Sequence, residues 1–207
     1  MKILFISIFI TLCQLSFAQQ NIDLQTGDLL FQVGKGSDFE NAIVSSTEGE
    51  KKLSYSHVGV VFVDKEIFVL EAEPKNGVAK TPLQEFLDNG AVITVVGRLK
   101  EEYKYTIPEA IERILPELGK LYNFTFLFLG EGFYCSELIQ KNFILDNGEC
   151  LFPPAPLSFG DSNTEEIHNY WIEYYKKYNM EVPKGELGSN PNEMSASEFI
   201  EIIGRIP

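Results

Sequence analysis

The chain is short of the residues from which most enzyme sites are assembled. Its 207 residues include two histidines, three cysteines, three methionines and one tryptophan. So few ligating side chains leave little room for a metal centre, and His57, Cys135, Cys150 and His168 match no compact ligand spacing; no metal or cofactor is expected. Basic residues are scarce as well, 17 against 30 acidic, for a formal net charge of −13. Nucleic acid and anionic lipid both need clustered Lys and Arg, so neither is expected as a partner. Beyond the first residues no apolar run approaches the about 20 residues of a membrane span, so no stable membrane anchor is expected. Internal repeats and low-complexity tracts are absent too, and no linker is long enough to split the chain.

What is present begins with a leader pattern. Lys2 precedes an apolar run from Ile3 to Phe17, and Ser16-Phe17-Ala18 offers a small-x-small cleavage site before Gln19. Residues 1–18 are therefore expected to be a signal peptide, with the protein exported to a periplasm or beyond the cell. Cys13 follows Leu12, where lipoprotein processing wants a small residue, which favours plain secretion. Residues 19–207 are expected to form one domain. Export leaves Cys135 and Cys150. An oxidising compartment invites a disulfide, but a helix from about 135 to 145 rises roughly 15 Å and carries the two apart, which favours free thiols.

The pattern of elements predicts an α+β fold with a small antiparallel sheet packed against helices. Strands are expected over Asp28–Val33, Tyr55–Val63, Ile67–Glu73 and Ala91–Leu99, each rich in β-branched or apolar residues. Short helices are predicted from Ser37 to Ser45, and from Thr81 as N-cap, with Pro82 at the first helical position, to Leu87. A longer helix is capped near Thr106 and kinked by Pro116. Ser162 and Glu165 cap a helix carrying Tyr170, Trp171 and Tyr174. Ser195 and Glu198 cap a terminal helix through Ile203. Around the aromatic helix, core packing is favoured over the wall of a cleft.

The stretch Tyr134-Cys135-Ser136-Glu137-Leu138 organises the chemistry. It follows the glycine-broken Leu129–Phe133 and opens an apolar-periodic run, Leu138, Ile139, Phe143 and Ile144, so a helix begins at or just before Cys135. The unpartnered N–H groups and positive dipole end of that helix favour thiolate over thiol. A base is needed. His57, early in an apolar strand, is the candidate, and His168 lies on a polar, aromatic helix near the end. A third group must hold the imidazole in the right tautomer. Glu71 and Glu73 share a face of the next strand; Glu71 is preferred because its surroundings are more apolar, although a carboxylate there is costly unless paired.

Gly27-Asp28-Leu29-Leu30-Phe31, Ser56-His57-Val58-Gly59-Val60 and Leu70-Glu71-Ala72 together resemble the core of NlpC/P60 cysteine peptidases. There the cysteine helix precedes the GDL strand; here Tyr134–Leu138 follows the sheet. That order is similar to the circularly permuted YiiX/YebB-like (YaeF/YiiX) branch of the papain-like superfamily. The resemblance runs from about Gly27 to Ile144, including Leu118-Gly119-Lys120-Leu121-Tyr122-Asn123-Phe124. It implies a permuted papain-like fold and a Cys135–His57–Glu71 triad that cleaves amide bonds in peptides or cell-wall peptides. It also implies an oxyanion hole built from the Cys135 N–H and a side chain, Tyr55 or Tyr134. The acidic balance suits a substrate with a cationic amine, with Asp28, Glu73 or Glu137 supplying charge; Glu137, in the first helical turn, reads rather as a capping carboxylate. Alternatives are a lipid acyl hydrolase or acyltransferase of the same fold, and a non-catalytic binding module.

Overall fold

The structure, a computed structural model, describes residues 22–36, 54–89, 91–159 and 165–206, with 165–167 described in backbone only. The expected signal peptide, the helix from Ser37 to Ser45 and the Ser162 cap lie outside the described residues.

Alternating apolar residues build the sheet. Strand β1 spans Leu29–Val33, β2 His57–Val63, β3 Ile67–Glu73 and β4 Gly77–Pro82. A short helix α1, Leu83–Asp88, leads to β5, Ile93–Leu99. A 3-10 turn, Glu101–Thr106, enters helix α2, Ile107–Ile114, and the nucleophile-bearing helix α3 spans Cys135–Asn142. Then come β6, Ala155–Pro156; α4, Glu165–Lys176; β7, Leu187–Gly188; α5, Pro191–Ala196; and β8, Ile200–Ile206.

The main sheet has six strands in the order β4-β3-β2-β1-β5-β8, and every neighbouring pair is antiparallel. Because successive side chains alternate between faces, Leu29, Phe31, Val58, Val60, Leu70 and Ala72 join one large core beneath α2 and α3. Leu30, Val61, Val69 and Val96 form a second, smaller cluster around Phe86 of α1.

Three segments depart from the predicted pattern. Gly77, at φ +69°, turns the chain into a hairpin whose returning strand β4 runs to Pro82. A Cβ there would lie 2.0 Å from the Lys120 carbonyl oxygen, so both the turn and the close approach require glycine. Thr81 therefore lies in a strand, and Pro82 is the residue before α1. The predicted C-terminal helix is instead β8, the sheet edge beside β5. Asn190 accepts the Glu193 N–H and Pro191 occupies the first turn, so α5 starts and ends early. Ile200 and Ile203 then fall on opposite cores, as a strand requires. Pro116 ends the 107–114 helix in a 3-10 turn rather than kinking it.

The Asp28–Arg98 pair fastens β1 to β5. Asp28 is 1% exposed; its carboxylate accepts from Arg98 Nε and Nη2, each at 2.7 Å, and from the Gln25 N–H. Arg98→Met would leave that buried carboxylate without its cation. The expected loss is about 3 kcal/mol of stability, read from urea unfolding, with Asp28→Asn plus Arg98→Met together costing less than Arg98→Met alone.

Candidate functional site

Three element ends meet at one end of the sheet. His57 opens β2, Glu71 lies two residues from the end of antiparallel β3, and Cys135 opens α3, which packs on both strands. Gly59 keeps the strands close here, since a Cβ would fall 2.4 Å from Val69 Cγ1 and 3.3 Å from Glu71 Cβ. His57 Nε2 lies 2.6 Å from Glu71 Oε2, and Phe86 covers the ring at 5.8 Å between centroids. With Nε2 engaged by the carboxylate, Nδ1 is the ring nitrogen left to exchange a proton with the Cys135 thiol, whose proximity helps raise the imidazole.

Burial works against a charged imidazole, but hydrogen bonds to Cys135 and Glu71 and their negative charges outweigh it and push His57 up to about 10. At neutral pH the ring therefore carries its proton. Cys135 is buried and Cys150 half-buried, and both are free thiols.

The residues singled out from the sequence divide clearly. The structure brings Cys135, His57 and Glu71 together. Glu73 turns away and accepts the Lys75 N–H at 2.9 Å and the Asn76 N–H, closing the hairpin. Asp28 is consumed by Arg98. Neither is available to a substrate, because the protein already satisfies each carboxylate. Glu137 is wholly buried and paired with Lys141 at 2.6 Å, so no cationic amine meets it. Tyr55 is a core residue: its ring packs on Phe31 at 5.4 Å, and its backbone exchanges two hydrogen bonds with the Asn192 side chain. Tyr134 borders the site, with its hydroxyl accepting the Ser189 N–H at 2.9 Å. His168 is exposed on α4.

A cavity of about 470 Å³, open solvent included, reaches Cys135. Its walls are mainly apolar and aromatic, with Tyr122, Phe126, Tyr134, Phe159 and Trp171 among them. Of the α4 aromatics, Trp171, 2% exposed, thus serves both as core and as cleft wall, while Tyr174 and Tyr175 are core.

Tyr122 was not among the residues expected at the site. Its phenol is held well above the usual tyrosine range, first by burial and then by the negative charge of Cys135. Among the described residues its hydroxyl has no hydrogen-bond partner. It is therefore a protonated donor, not yet committed, on the wall next to the thiol. The sequence signal was faint: one tyrosine in an aromatic loop, Gly119 to Phe128.

Residues 23–198 match the family described as permuted papain-like amidase enzyme, YaeF/YiiX, C92 family. "Uncharacterized protein YiiX" of Escherichia coli (strain K12) is 32% identical over 123 residues. That match spans 56% of this chain and 56% of the relative, just over half of its length. The crystal structure of "metalloprotein yiiX from Escherichia coli O157:H7, DUF1105" is similar at a TM-score of 0.68 and 25% identity, covering 88% of this chain and 97% of that one.

The His57 environment carries a pH signature. The ring should titrate with a midpoint near 10, and Glu71→Gln should lower it toward the ordinary value of about 6.5. A raised folded-state value stabilises the fold fully below about 6.5 and progressively less as pH climbs toward 10. The stability gap between wild type and Glu71→Gln should therefore narrow over that range. Long-range ¹H–¹⁵N spectra of the imidazole check the first point; a midpoint at or below the ordinary value would refute it.

Proposed function

The chain belongs to the permuted papain-like amidases of the YaeF/YiiX, C92 family, and from that premise we propose that it is an exported cysteine hydrolase that cleaves amide bonds with Cys135, His57 and Glu71. The observation that carries the reading is the pairing of Glu71 with His57 Nε2 at 2.6 Å, beside a thiol that opens a helix and is close enough to raise the imidazole. Export rests on the first 18 residues, whose pattern is that of a cleaved leader.

In this reading the thiol proton rests on His57. Cys135 Sγ attacks the amide carbonyl carbon, the C–S bond forms and the π electrons move to oxygen. The Cys135 backbone N–H and the Tyr122 hydroxyl receive that oxyanion. His57 gives its proton to the amide nitrogen, the C–N bond breaks and the amine leaves, so the acyl group is held as a thioester. Water then loses a proton to the neutral imidazole and attacks the thioester, and the C–S bond breaks. The acid is released, and the thiolate and imidazolium are restored. Glu71 accepts from Nε2 throughout, which fixes the tautomer and stabilises the charged ring.

The E. coli neighbour is described as a metalloprotein. The residues here are a poor fit for a resident metal: Glu71 already holds His57 Nε2 at 2.6 Å, and Asp28, Glu73 and Glu137 are engaged by Arg98, the Lys75 N–H and Lys141. Among the described residues, no group of three or more His, Cys, Asp or Glu side chains is placed to hold an ion. No step above is routed through one.

An amide from cell-wall or related peptides fits this site only if its acyl side tolerates an apolar, aromatic-walled cavity. That lining favours a second reading, a lipid acyl hydrolase or acyltransferase, in which the same thioester is passed to an acceptor rather than to water.

Cys135→Ala should abolish turnover of acyl p-nitroanilides, and hexanoyl should be preferred to acetyl. Tyr122→Phe should lower kcat by about 10²-fold with KM little changed, whereas Tyr55→Phe should stay within about twofold. Adding a primary amine as acceptor and weighing the products separates the two readings: free acid marks hydrolysis and a new amide marks transfer. If Cys135→Ala keeps wild-type turnover, the nucleophile assignment is wrong.

A further inference from the structure

Glu137 is buried more completely than its capping position calls for. A glutamate at the third position of a helix accepts an N–H from the N-cap residue and complements the dipole while facing water. Here its exposure is 0%, and taking a carboxylate out of water is expensive unless every partner is supplied. Oε1 meets Lys141 at 2.6 Å. Oε2 accepts the Tyr134 backbone N–H at 3.2 Å and Asn123 Nδ2 at 3.0 Å. One oxygen thus joins the residue before the nucleophile to the residue after the Tyr122 phenol.

Asn123, itself 2% exposed, passes that restraint on. Its Nδ2 also donates to the Leu127 carbonyl at 2.8 Å, and its Oδ1 accepts from the Thr125 N–H and hydroxyl. Its own backbone N–H donates to Phe133. Enclosed by these bonds, Phe126 sits at φ +56°, a conformation non-glycine residues seldom adopt, and forms cavity wall. Such strain persists only where the surroundings over-determine it. Gly130 leaves room for the arrangement, since a Cβ there would lie 2.8 Å from the Asn123 amide.

We propose that Glu137 is a positioning residue that, through Asn123, sets the Tyr122 hydroxyl and the Phe126 wall against Cys135. The inference rests on the reading of Cys135 and Tyr122 given above. Glu137 touches no substrate; it fixes the separation between the oxyanion donor and the sulfur, and it does so from the nucleophile's own helix.

Two reactions of the same thiol isolate this role. Iodoacetamide alkylates sulfur with loss of iodide and forms no oxyanion. p-Nitrophenyl hexanoate acylates it through a tetrahedral oxyanion and releases p-nitrophenolate. Glu137→Gln and Asn123→Ala are each expected to slow acylation by about tenfold or more and leave alkylation within about twofold. Combined with Tyr122→Phe, each should add little further loss, because all three act through one hydroxyl. Equal slowing of both reactions would place Glu137 in support of the thiol itself and overturn the proposal, as would no slowing of acylation, or full additivity with Tyr122→Phe. Should Glu137→Gln fail to fold, Asn123→Ala, which keeps the Glu137–Lys141 pair, carries the same test. If the wild-type thiol is alkylated but never acylated, the hydrolase reading fails first, and the positioning role falls with it.

Discussion

The cost of burying a carboxylate governs much of this structure. Asp28, Glu71 and Glu137 are 1%, 3% and 0% exposed, and each has a cationic partner: Arg98, His57 and Lys141. Unpaired, any of them would be heavily destabilising; paired, each pins two pieces of chain at a defined separation. Asp28 ties β1 to β5, Glu71 ties β3 to the first residue of β2, and Glu137 ties the start of α3 to the loop before it. In a chain with nearly twice as many acidic as basic residues, three bases are committed to interior carboxylates.

Glu71 and Asp28 are both buried carboxylates beside apolar runs, but their partners lie at very different distances along the chain. At Glu71 the partner lies in the adjacent strand, so a local reading finds it. At Asp28 the partner is Arg98, in a strand that becomes β1's neighbour only once the sheet is assembled. Local patterns likewise located the cysteine helix, β1, β2, β3 and β5, because apolar alternation and helical spacing are short-range properties. They failed at β8, where Ser195 and Glu198 imitate a capping box while the alternation of Ile200 and Ile203 between two cores is decided by β5. Glu73 was separable from Glu71 only by surroundings, and the structure shows the reason: one carboxylate faces an imidazole, the other a turn.

Tyr122 was illegible for a different reason. What distinguishes it from the other aromatic residues of its loop is a hydroxyl with no described partner and a thiol for a neighbour, and both properties exist only after folding. Tyr134 and Tyr55, the candidates that the family resemblance suggested, lie next to Cys135 and near His57 in the sequence. In the fold the Tyr134 hydroxyl accepts the Ser189 N–H, and Tyr55 packs into the core.

The order of the elements bears on how the site is held. α3 rests on β2 and β3 whichever comes first in the chain, so the thiol and imidazole can meet under either connectivity. The segment that feeds the cysteine helix is different: it carries both the candidate oxyanion donor and the cavity wall, and the isolated pairing of Tyr122 with Phe133 gives it little regular structure of its own. Ladder hydrogen bonds cannot fix such a segment, so its position has to come from side chains. A buried carboxylate with several directional acceptor sites is suited to that task, because moving the loop away would strand the charge as well as break the bonds. The penalty that makes Glu137 expensive to bury is thus also what makes it an effective restraint.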